Sequence, residues 1–541
     1  MHNTMKITKA LIFGASIGIG IFLGTMVRPA MSNDSIYDQV KKFNDVLNRA
    51  NQMYVENVDS KKLTEAAIRG MLNELDPHSV YIPADQMKKV TEDFQGSFEG
   101  IGVEFDVVKD TITIVTPISG GPSEALGIQS GDKIVKINDS SAIGLTREDV
   151  PKKLRGPKGT KVKLGIKRSG EAKLIDYDII RDKIPLYTVD ASFMIEKTDI
   201  GVISINRFAA TTHSEFMEAA AKLRGEGMKK LILDLRNNPG GYLDQAFRLA
   251  DEFLKGGQKI VYTKGRRPEV DEDYFSSDGG DFENIPLIVM INGGSASASE
   301  IVSGAVQDLD RGLIVGDVSF GKGLVQQQYP LPDGSAYRLT ISRYYTPSGR
   351  LIQRPYGDKD KYYKGEGREE VEEGENIEHS QDSKKKSDST RPVFKTMSGR
   401  TVYGGGGITP DYVVKPDTIT PLSVSIRRKN LFWEFTDSYL RGSGSTLRTS
   451  YKDNFNAFRK SFDVTEDLLK DFRTLSESKE VQWNDGNYAT DKEYLKSMIK
   501  ATIARSLFGN AGFYPIAYED DKQIKKAVTL FPEASKIAKL K

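Results

Sequence analysis

The stretch Ile291 to Gln326, INGGSASASEIVSGAVQDLDRGLIVGDVSFGKGLVQ, holds residue types able to attack a carbonyl. The apolar run PLIVMIN reads as a strand ending at Asn292, and Gly293 and Gly294 permit a tight turn. A helix is expected to begin within SASASEIVSGAVQDL. A serine on such a strand-to-helix turn presents its hydroxyl where backbone N–H groups point outward. Those donors and the helix dipole can stabilise an oxyanion. A serine hydroxyl is a weak nucleophile and needs a base. The chain has four histidines, His2, His78, His213 and His379, none in a recognisable triad context. Lys322, in FGKG directly after a predicted strand, is the other candidate; flanking glycines allow a turn that aims its amine inward. Taken alone, a lysine between glycines reads as an exposed loop residue. A second glycine signature follows the strand KLILDLR at Asn237, Asn238, Pro239, Gly240 and Gly241. It suits backbone N–H groups brought close to a carbonyl, and equally an ordinary β–α turn.

The elements that must position these residues follow from patterning. Residues 184–355 alternate buried-strand runs (GVISINRF, KLILDLR, PLIVMIN, GLIVGD) with amphipathic stretches, which argues for an α/β layer fold. Residues 96–182 switch to short β-rich runs separated by Gly and Pro turns, a small mainly-β domain. Residues 34–90 show apolar residues at helical spacing, fit for packing or for holding two protomers together. Residues 356–395 are highly charged and read as a solvated or disordered insertion. From about residue 419 the pattern is helical again and carries no chemical motif. The expected layout is 1–33 signal anchor or signal peptide, 34–90 helical segment, 91–183 mainly-β domain, 184–416 catalytic core, and 417–541 helical extension.

Composition narrows the class. With 541 residues the chain exceeds one hydrophobic core, and about 150 residues per domain gives three or four units. Net charge is +2, from 77 basic and 75 acidic residues, so nothing points to nucleic acid. No cysteine is present, which excludes disulfides, thiolate metal sites, a cysteine nucleophile and a lipoprotein anchor. Lys6 and Lys9 precede an uncharged 18-residue run from Ala10 to Val27, stopped by Arg28 and Pro29. That run is just long enough to span a bilayer, and no small-x-small cleavage site follows it. It is read as an uncleaved anchor in preference to a cleaved signal, placing the chain in the periplasm or otherwise outside the cytoplasm, held to the inner membrane by residues 10–27.

Three segments together resemble the tail-specific, or C-terminal processing, serine peptidases: LDLRNNPGG (233–241), GGSASASE (293–300) and FGKGLVQ (320–326). Their order and spacing agree with that family, with 25 residues from Ser297 to Lys322 and four from Lys322 to Gln326. The resemblance implies Ser297 as nucleophile, Lys322 as general base and Gln326 as the residue orienting the lysine. It implies the backbone N–H groups of Gly241 and Ala298 as oxyanion donors, and a core similar to crotonase and Clp-protease folds. Ser295 and Ser299 are then structural or helix-capping, and Asp308 is given a structural role. To act as base Lys322 must lose its proton, so burial is expected to lower its pKa.

The mainly-β domain resembles the family's inserted PDZ module through GIGV (100–103), ALGIQSGDKIVKIND (125–139) and LRGPKGTKVKL (154–164). That implies a loop of Gly100, Ile101, Gly102 and Val103 receiving a terminal carboxylate, with the peptide adding as a strand, and Arg155 linking capture to the active site. The implied function is a serine endopeptidase cleaving exported proteins in or near their C-terminal tails through an acyl-enzyme. It needs no cofactor and no metal. Its partners are proteins or peptides with free C-termini, leaving room for a homo-oligomer and an adaptor protein. The alternative is a catalytically silent PDZ-containing binding protein. A Ser–His hydrolase of small esters would need His213 or His78 near Ser297.

Overall fold

The structure, a computed structural model, describes residues 35–364, 373–375, 391–452 and 454–540. The anchor expected at 10–27, together with His2 and His379, lies outside those residues. Among the described residues no helix is long and apolar enough to cross a membrane. The chain divides into two units, residues 1–81 and 82–541. The first holds α1 (Ile36–Met53) and α2 (Ser60–Leu75), the latter started by Asp59, whose carboxylate accepts from the Lys62 N–H. On α1 the residues Ile36, Val40, Phe43 and Val46 are all exposed.

The second unit begins with α3 (Ala84–Gln95), ended by Gly96 in the left-handed region at φ 69°. An antiparallel sheet follows in the order β1 (Val103–Val108), β2 (Thr111–Pro117), β3 (Lys133–Ile137), β4 (Lys161–Lys167) and β5 (Ile175–Ile180), with Ser140–Ser141 on β3. Period-2 alternation sends Ile112, Ile114, Ile134, Val162, Leu164 and Ile166 into one core, closed by Val150 and Leu154 of α4 (Asp149–Leu154). The incoming segment Ser97–Gly100 pairs antiparallel with the outgoing segment Asp182–Pro185. The mainly-β module is thus a closed insertion whose two ends leave side by side.

The core is a sheet in the order β6 (Val189–Met194), β7 (Ile200–Ile205), β8 (Lys230–Asp234), β9 (Leu287–Ile291), β10 (Leu313–Gly316) and β13 (Tyr412–Val413), edged by Gly374–Glu375. Strands β7 to β10 and β13 run parallel, and β6 is antiparallel to β7. A parallel sheet must be covered on both faces. Leu287, Val289 and Ile291 of β9 join the cluster built with α5 (Thr212–Gly225), α6 (Leu243–Asp251) and α7 (Ala298–Asp308). Ile288 and Met290, on the opposite face, pack with Ile524, Ala527, Phe531 and Ala534 from the end of the chain. Beside the sheet, β11 (Leu324–Pro330) and β12 (Ala336–Tyr345) form a hairpin, and β12 also pairs with Lys259–Gly265.

Two expectations change. The helical tail is more than an appendage. Residues 422–516 build a phenylalanine-rich core of their own, but the helices Lys522–Thr529 and Phe531–Ile537 supply the second cover of the central sheet. The tail also touches the mainly-β module, through Arg505 to Glu104 (2.9 Å), Arg448 to the Ser130 carbonyl (3.0 Å), and Asn430 to Asp106. The charged insertion is not wholly solvated either. Tyr362 is 2% exposed, Arg354 donates to its carbonyl (2.6 Å), and Glu375 pairs with Tyr412.

One buried ion pair fixes the far end of α7. Arg350 Nη2 lies 2.6 Å from Asp308 Oδ1 with both side chains fully buried. The guanidinium donates to Gln307 Oε1 (2.7 Å) and to the Tyr403 carbonyl (3.3 Å), while Asp308 Oδ2 accepts from the Ser348 N–H and hydroxyl. Asp308 therefore ties the helix end to the 346–350 turn, in keeping with a structural role. Removing one partner leaves a buried charge uncompensated, so Asp308→Ala is expected to lower unfolding free energy by about 3–5 kcal/mol. Denaturant titration reads this. Asp308→Ala combined with Arg350→Met should recover part of the loss; a further, additive loss would refute the uncompensated-charge account.

Candidate active site

Strands β8 and β9 are parallel neighbours, and the loops leaving their carboxyl ends are laced together. Asn292 Oδ1 accepts from the N–H groups of Asn237 (2.8 Å) and Gly294 (2.9 Å). Ser295 donates its hydroxyl to the Leu235 carbonyl (2.8 Å) and accepts from the Asn292 N–H (2.9 Å). Ser299 donates to the Asn238 carbonyl (2.9 Å). Both flanking serines are buried and committed to structure, though neither caps the helix.

Ser297 stands between them at the N-terminus of α7, with φ 54° and ψ −111°. Such a conformation is costly for a non-glycine residue and persists only where its surroundings over-determine it. They do here. Tyr344 donates its hydroxyl to the Ser297 carbonyl (3.1 Å), and Glu300 accepts the Ser297 N–H (2.8 Å). Gly240 sits so close that a Cβ there would lie 2.8 Å from Ser297 Cβ and 2.9 Å from the Ala298 nitrogen. At Gly241 a Cβ would meet the Phe208 carbonyl oxygen at 1.9 Å. Among the described residues, no acceptor takes the N–H of Gly241 or of Ala298.

Glu300 is the residue that sequence reasoning missed. Its carboxylate is fully buried and accepts from the Ser319 hydroxyl (2.5 Å) and from the N–H groups of Gly321 (2.7 Å), Lys322 (2.9 Å) and Ser297 (2.8 Å). Desolvation raises its pKa above the usual carboxylate range, and those four donors work against that rise. The signal was present as Ser297-x-x-Glu300, the spacing of a capping box. What that spacing hides is the distant loop on the other side of the same carboxylate.

Lys322 is held between Gly321, at φ 83° against the Gly407 nitrogen and Arg354, and Gly323, whose N–H donates to Gln353 Oε1 (2.8 Å). Gln326 sits on β11 just past a bulge, and its side-chain amide donates to Thr340 Oγ1 across the hairpin (3.2 Å). Ser297, Lys322, Gln326, Gly241 and Tyr344 all line one cavity of about 780 Å³. His213 does not line it; its ring pairs with Glu252 (2.8 Å). His78 belongs to the first unit, where its N–H is held by Asp76 (2.7 Å). Among the described residues no cluster of His, Asp and Glu fit to hold a metal occurs.

At the mouth of the mainly-β module, Gly102 turns at φ 75°, and a Cβ there would lie 3.1 Å from Ile184 and 3.3 Å from Gly121. The carbonyl of Ile101 accepts from Ser123, through both its hydroxyl (2.6 Å) and its N–H (3.2 Å), and that of Gly102 accepts from the Ile118 N–H (3.0 Å). Among the described residues no acceptor takes the N–H of Ile101 or of Gly102. Gly100 and Val103 bound this loop as the ends of two strands. Arg155 lies beside it, over the Phe98 ring (4.3 Å) and paired with Glu92 of α3. The same helix sends Val90 and Phe94 to the cavity that holds Ser297.

Comparison with known proteins agrees with this division. Residues 199–360 match the model of peptidase family S41, residues 100–179 a PDZ domain, and residues 25–86 the N-terminal domain of the activating protease CtpB. Residues 424–509 match a family of unknown function. A carboxy-terminal-processing protease of Bartonella bacilliformis is 40% identical over 354 residues, which cover 64% of this chain and 80% of that protein. A probable CtpA-like serine protease of Staphylococcus aureus strain N315 is 38% identical over 316 residues, covering 58% of this chain and 62% of that relative. The similarly named protein of Staphylococcus saprophyticus is 35% identical over 352 residues, covering 64% and 69%.

Glu300→Gln keeps size but turns an N–H₂ toward donors that need an acceptor. The expected result is a loss of about 1–3 kcal/mol in stability and a fall of about 100-fold in turnover of a peptide substrate, with KM little changed. Steady-state kinetics on the folded variant would decide it. Wild-type turnover would mean the carboxylate is not what sets the two loops.

Proposed function

Since the chain belongs to the carboxy-terminal-processing serine proteases of peptidase family S41, we propose that Ser297 is its nucleophile and Lys322 its general base. The Lys322 amine takes the Ser297 hydroxyl proton as the oxygen attacks a peptide carbonyl. The resulting oxyanion receives the N–H groups of Gly241 and Ala298. The lysine ammonium then gives its proton to the departing amine, leaving an ester on Ser297. A water molecule, deprotonated by the same amine, attacks that ester; the ammonium so formed returns its proton to the departing Ser297 oxygen, freeing the new C-terminus and restoring the neutral amine. Gln326 orients the amine without adding negative charge. A carboxylate in its place would favour the ammonium and work against the base.

The observation that carries this reading is the shared cavity. Ser297, Lys322, Gln326 and the Gly240–Gly241 turn all line it, and one buried carboxylate anchors the backbone of both reacting residues. The silent binding-protein alternative has no observation in its favour. We assign substrate capture to the PDZ module. The peptide's terminal carboxylate takes the N–H groups of Ile101 and Gly102, and its chain adds as a strand to β1.

Two measurements test these assignments. Ser297→Ala and Lys322→Arg are each expected to lower kcat by about 10⁴-fold or more, because arginine keeps its proton. Gln326→Glu should lower kcat by about tenfold at neutral pH and recover as pH rises, since the added charge favours the ammonium. An unchanged rate–pH profile in Lys322→Arg would remove Lys322 from the role of base. For capture, amidating a bound peptide's C-terminus should weaken its Kd by about tenfold. Equal affinity of the acid and amide forms, read by calorimetry, would count against the carboxylate loop.

A further inference from the structure

Among the described residues, Arg338 of the cavity that holds Ser297 has no carboxylate in ion-pair range. Arg338 lies on β12 and lines the same cavity as Ser297 and Lys322. Its guanidinium carbon sits 4.8 Å above the Phe94 ring, and its Nε donates to Gln328 Oε1 across the hairpin (3.2 Å). Burial holds its pKa below the usual arginine value.

The other buried guanidiniums of the core are treated differently. Arg236 is paired with Asp234 and Asp521, Arg350 with Asp308, and Arg400 with Asp310 and Asp411. Arg311, which lacks a carboxylate, donates instead to the carbonyls of Phe253, Phe282 and Ile285. Arg338 has neither provision. Its ring contact and one neutral amide fix its position beside the cavity, and among the described residues no acceptor takes its Nη groups. The acidic residues lining that space do not answer it. Asp244 is exposed and paired with Arg248 (2.9 Å), and Asp93 is exposed on α3. Arg207, the neighbouring cation, already donates to Leu186 and Asn206.

We propose that Arg338 forms an anion subsite that accepts a substrate carboxylate close to the scissile bond. The inference rests on the peptidase reading above. The hairpin register sets the distance. Gln326 pairs with Thr340 beside the reacting residues, and Gln328 pairs with Arg338 two positions further along. Two strand residues span about 7 Å, so an extended substrate meets the guanidinium about two residues from the bond being cut. The carboxylate comes either from an aspartate or glutamate side chain or from a chain end at that distance.

The test uses the full chain and a set of fluorogenic peptides that share one C-terminal tail. Each replaces a single glutamine by glutamate at one of the positions flanking the scissile bond. The quantity read is the ratio of kcat/KM for the Glu and Gln forms, which is insensitive to any overall loss of activity. For wild type the ratio should reach about tenfold at one position and decline as salt is raised. It should fall to about one in Arg338→Gln, survive in part in Arg338→Lys, and invert in favour of lysine-bearing peptides in Arg338→Glu. Shorter peptides ending at that position, as acid or amide, separate the side-chain source from the chain-end source. A wild-type ratio near one at every position overturns the subsite, and so does an Arg338→Gln protein with the wild-type ratio, which would reduce the residue to a support for Phe94. If wild type cleaves none of the peptides, the peptidase reading itself is what fails.

Discussion

The geometry of the site hangs on one buried carboxylate. Glu300 takes the N–H of Ser297 on one oxygen, shares that oxygen with the N–H of Lys322, and commits its other oxygen to Gly321 and Ser319. Ser297 and Lys322 are 25 residues apart in sequence, yet one rigid planar group sets both backbones. Burying a carboxylate is unfavourable unless its lone pairs are filled. Here four donors fill them, three of them backbone amides that cannot rotate away. The same arrangement explains how Ser297 keeps a left-handed backbone: its N–H, its carbonyl and its Cβ are each fixed by a different element. Strain that local sequence would relax is thereby retained where the hydroxyl is needed.

That clamp needs β8, β9 and the 319–323 loop to arrive together, and the sheet provides it. In a parallel α/β sheet the carboxyl ends of the strands open onto one crevice, and both site loops leave from such ends. The strands hold register because each is buried on two faces, one against α5 to α7 and the other against the last helices of the chain. The second cover reaches the chemistry through a short path. Arg236, directly before the glycine loop, is held by Asp234 (2.7 Å) and also by Asp521 (2.6 Å) and Gln523 (2.7 Å) from the tail, while Tyr518 donates to Asp234 (2.9 Å). The loop that ends in Gly240 and Gly241 thus starts from a residue tied both to β8 and to the tail.

What the sequence made legible was local. Strand–helix alternation, the glycine turns, the Ser–Lys–Gln spacing and the closed β-rich insertion all depend on neighbours within a few dozen residues. The parts that stayed hidden are long-range. Asp521 meets Arg236 across nearly the whole length of the core, and no periodicity marks that partnership. Tyr362, inside a run whose charge reads as solvated, is buried because Arg354 and Phe320 lie over it, not because of its own neighbours in sequence. Glu300 stands at the spacing of a helix-capping acid, and the second half of its contacts comes from the distant residues 319–322. The tail reads as helical, but a helical pattern does not say which surface its helices cover.

The Ile101–Gly102 and Gly240–Gly241 loops share a physical device. A backbone N–H becomes available to a ligand only if its peptide neighbours are turned so that no internal acceptor reaches it, and this must not leave a carbonyl buried without a donor. At Ile101 and Gly102 the carbonyls are drawn inward to Ser123 and Ile118, and the amides are released by a left-handed glycine. At Gly240 and Gly241 the Gly240 carbonyl is taken by the Phe208 N–H (2.9 Å), and the next amide faces the cavity. In both places the backbone lies in the region that favours glycine, and at Gly241 a Cβ would in addition strike the Phe208 carbonyl. A substitution at Gly102 or Gly241 therefore does not merely add bulk near a ligand. It disturbs the turn and withdraws the very N–H group on which the proposed carboxylate capture, or the proposed oxyanion stabilisation, depends.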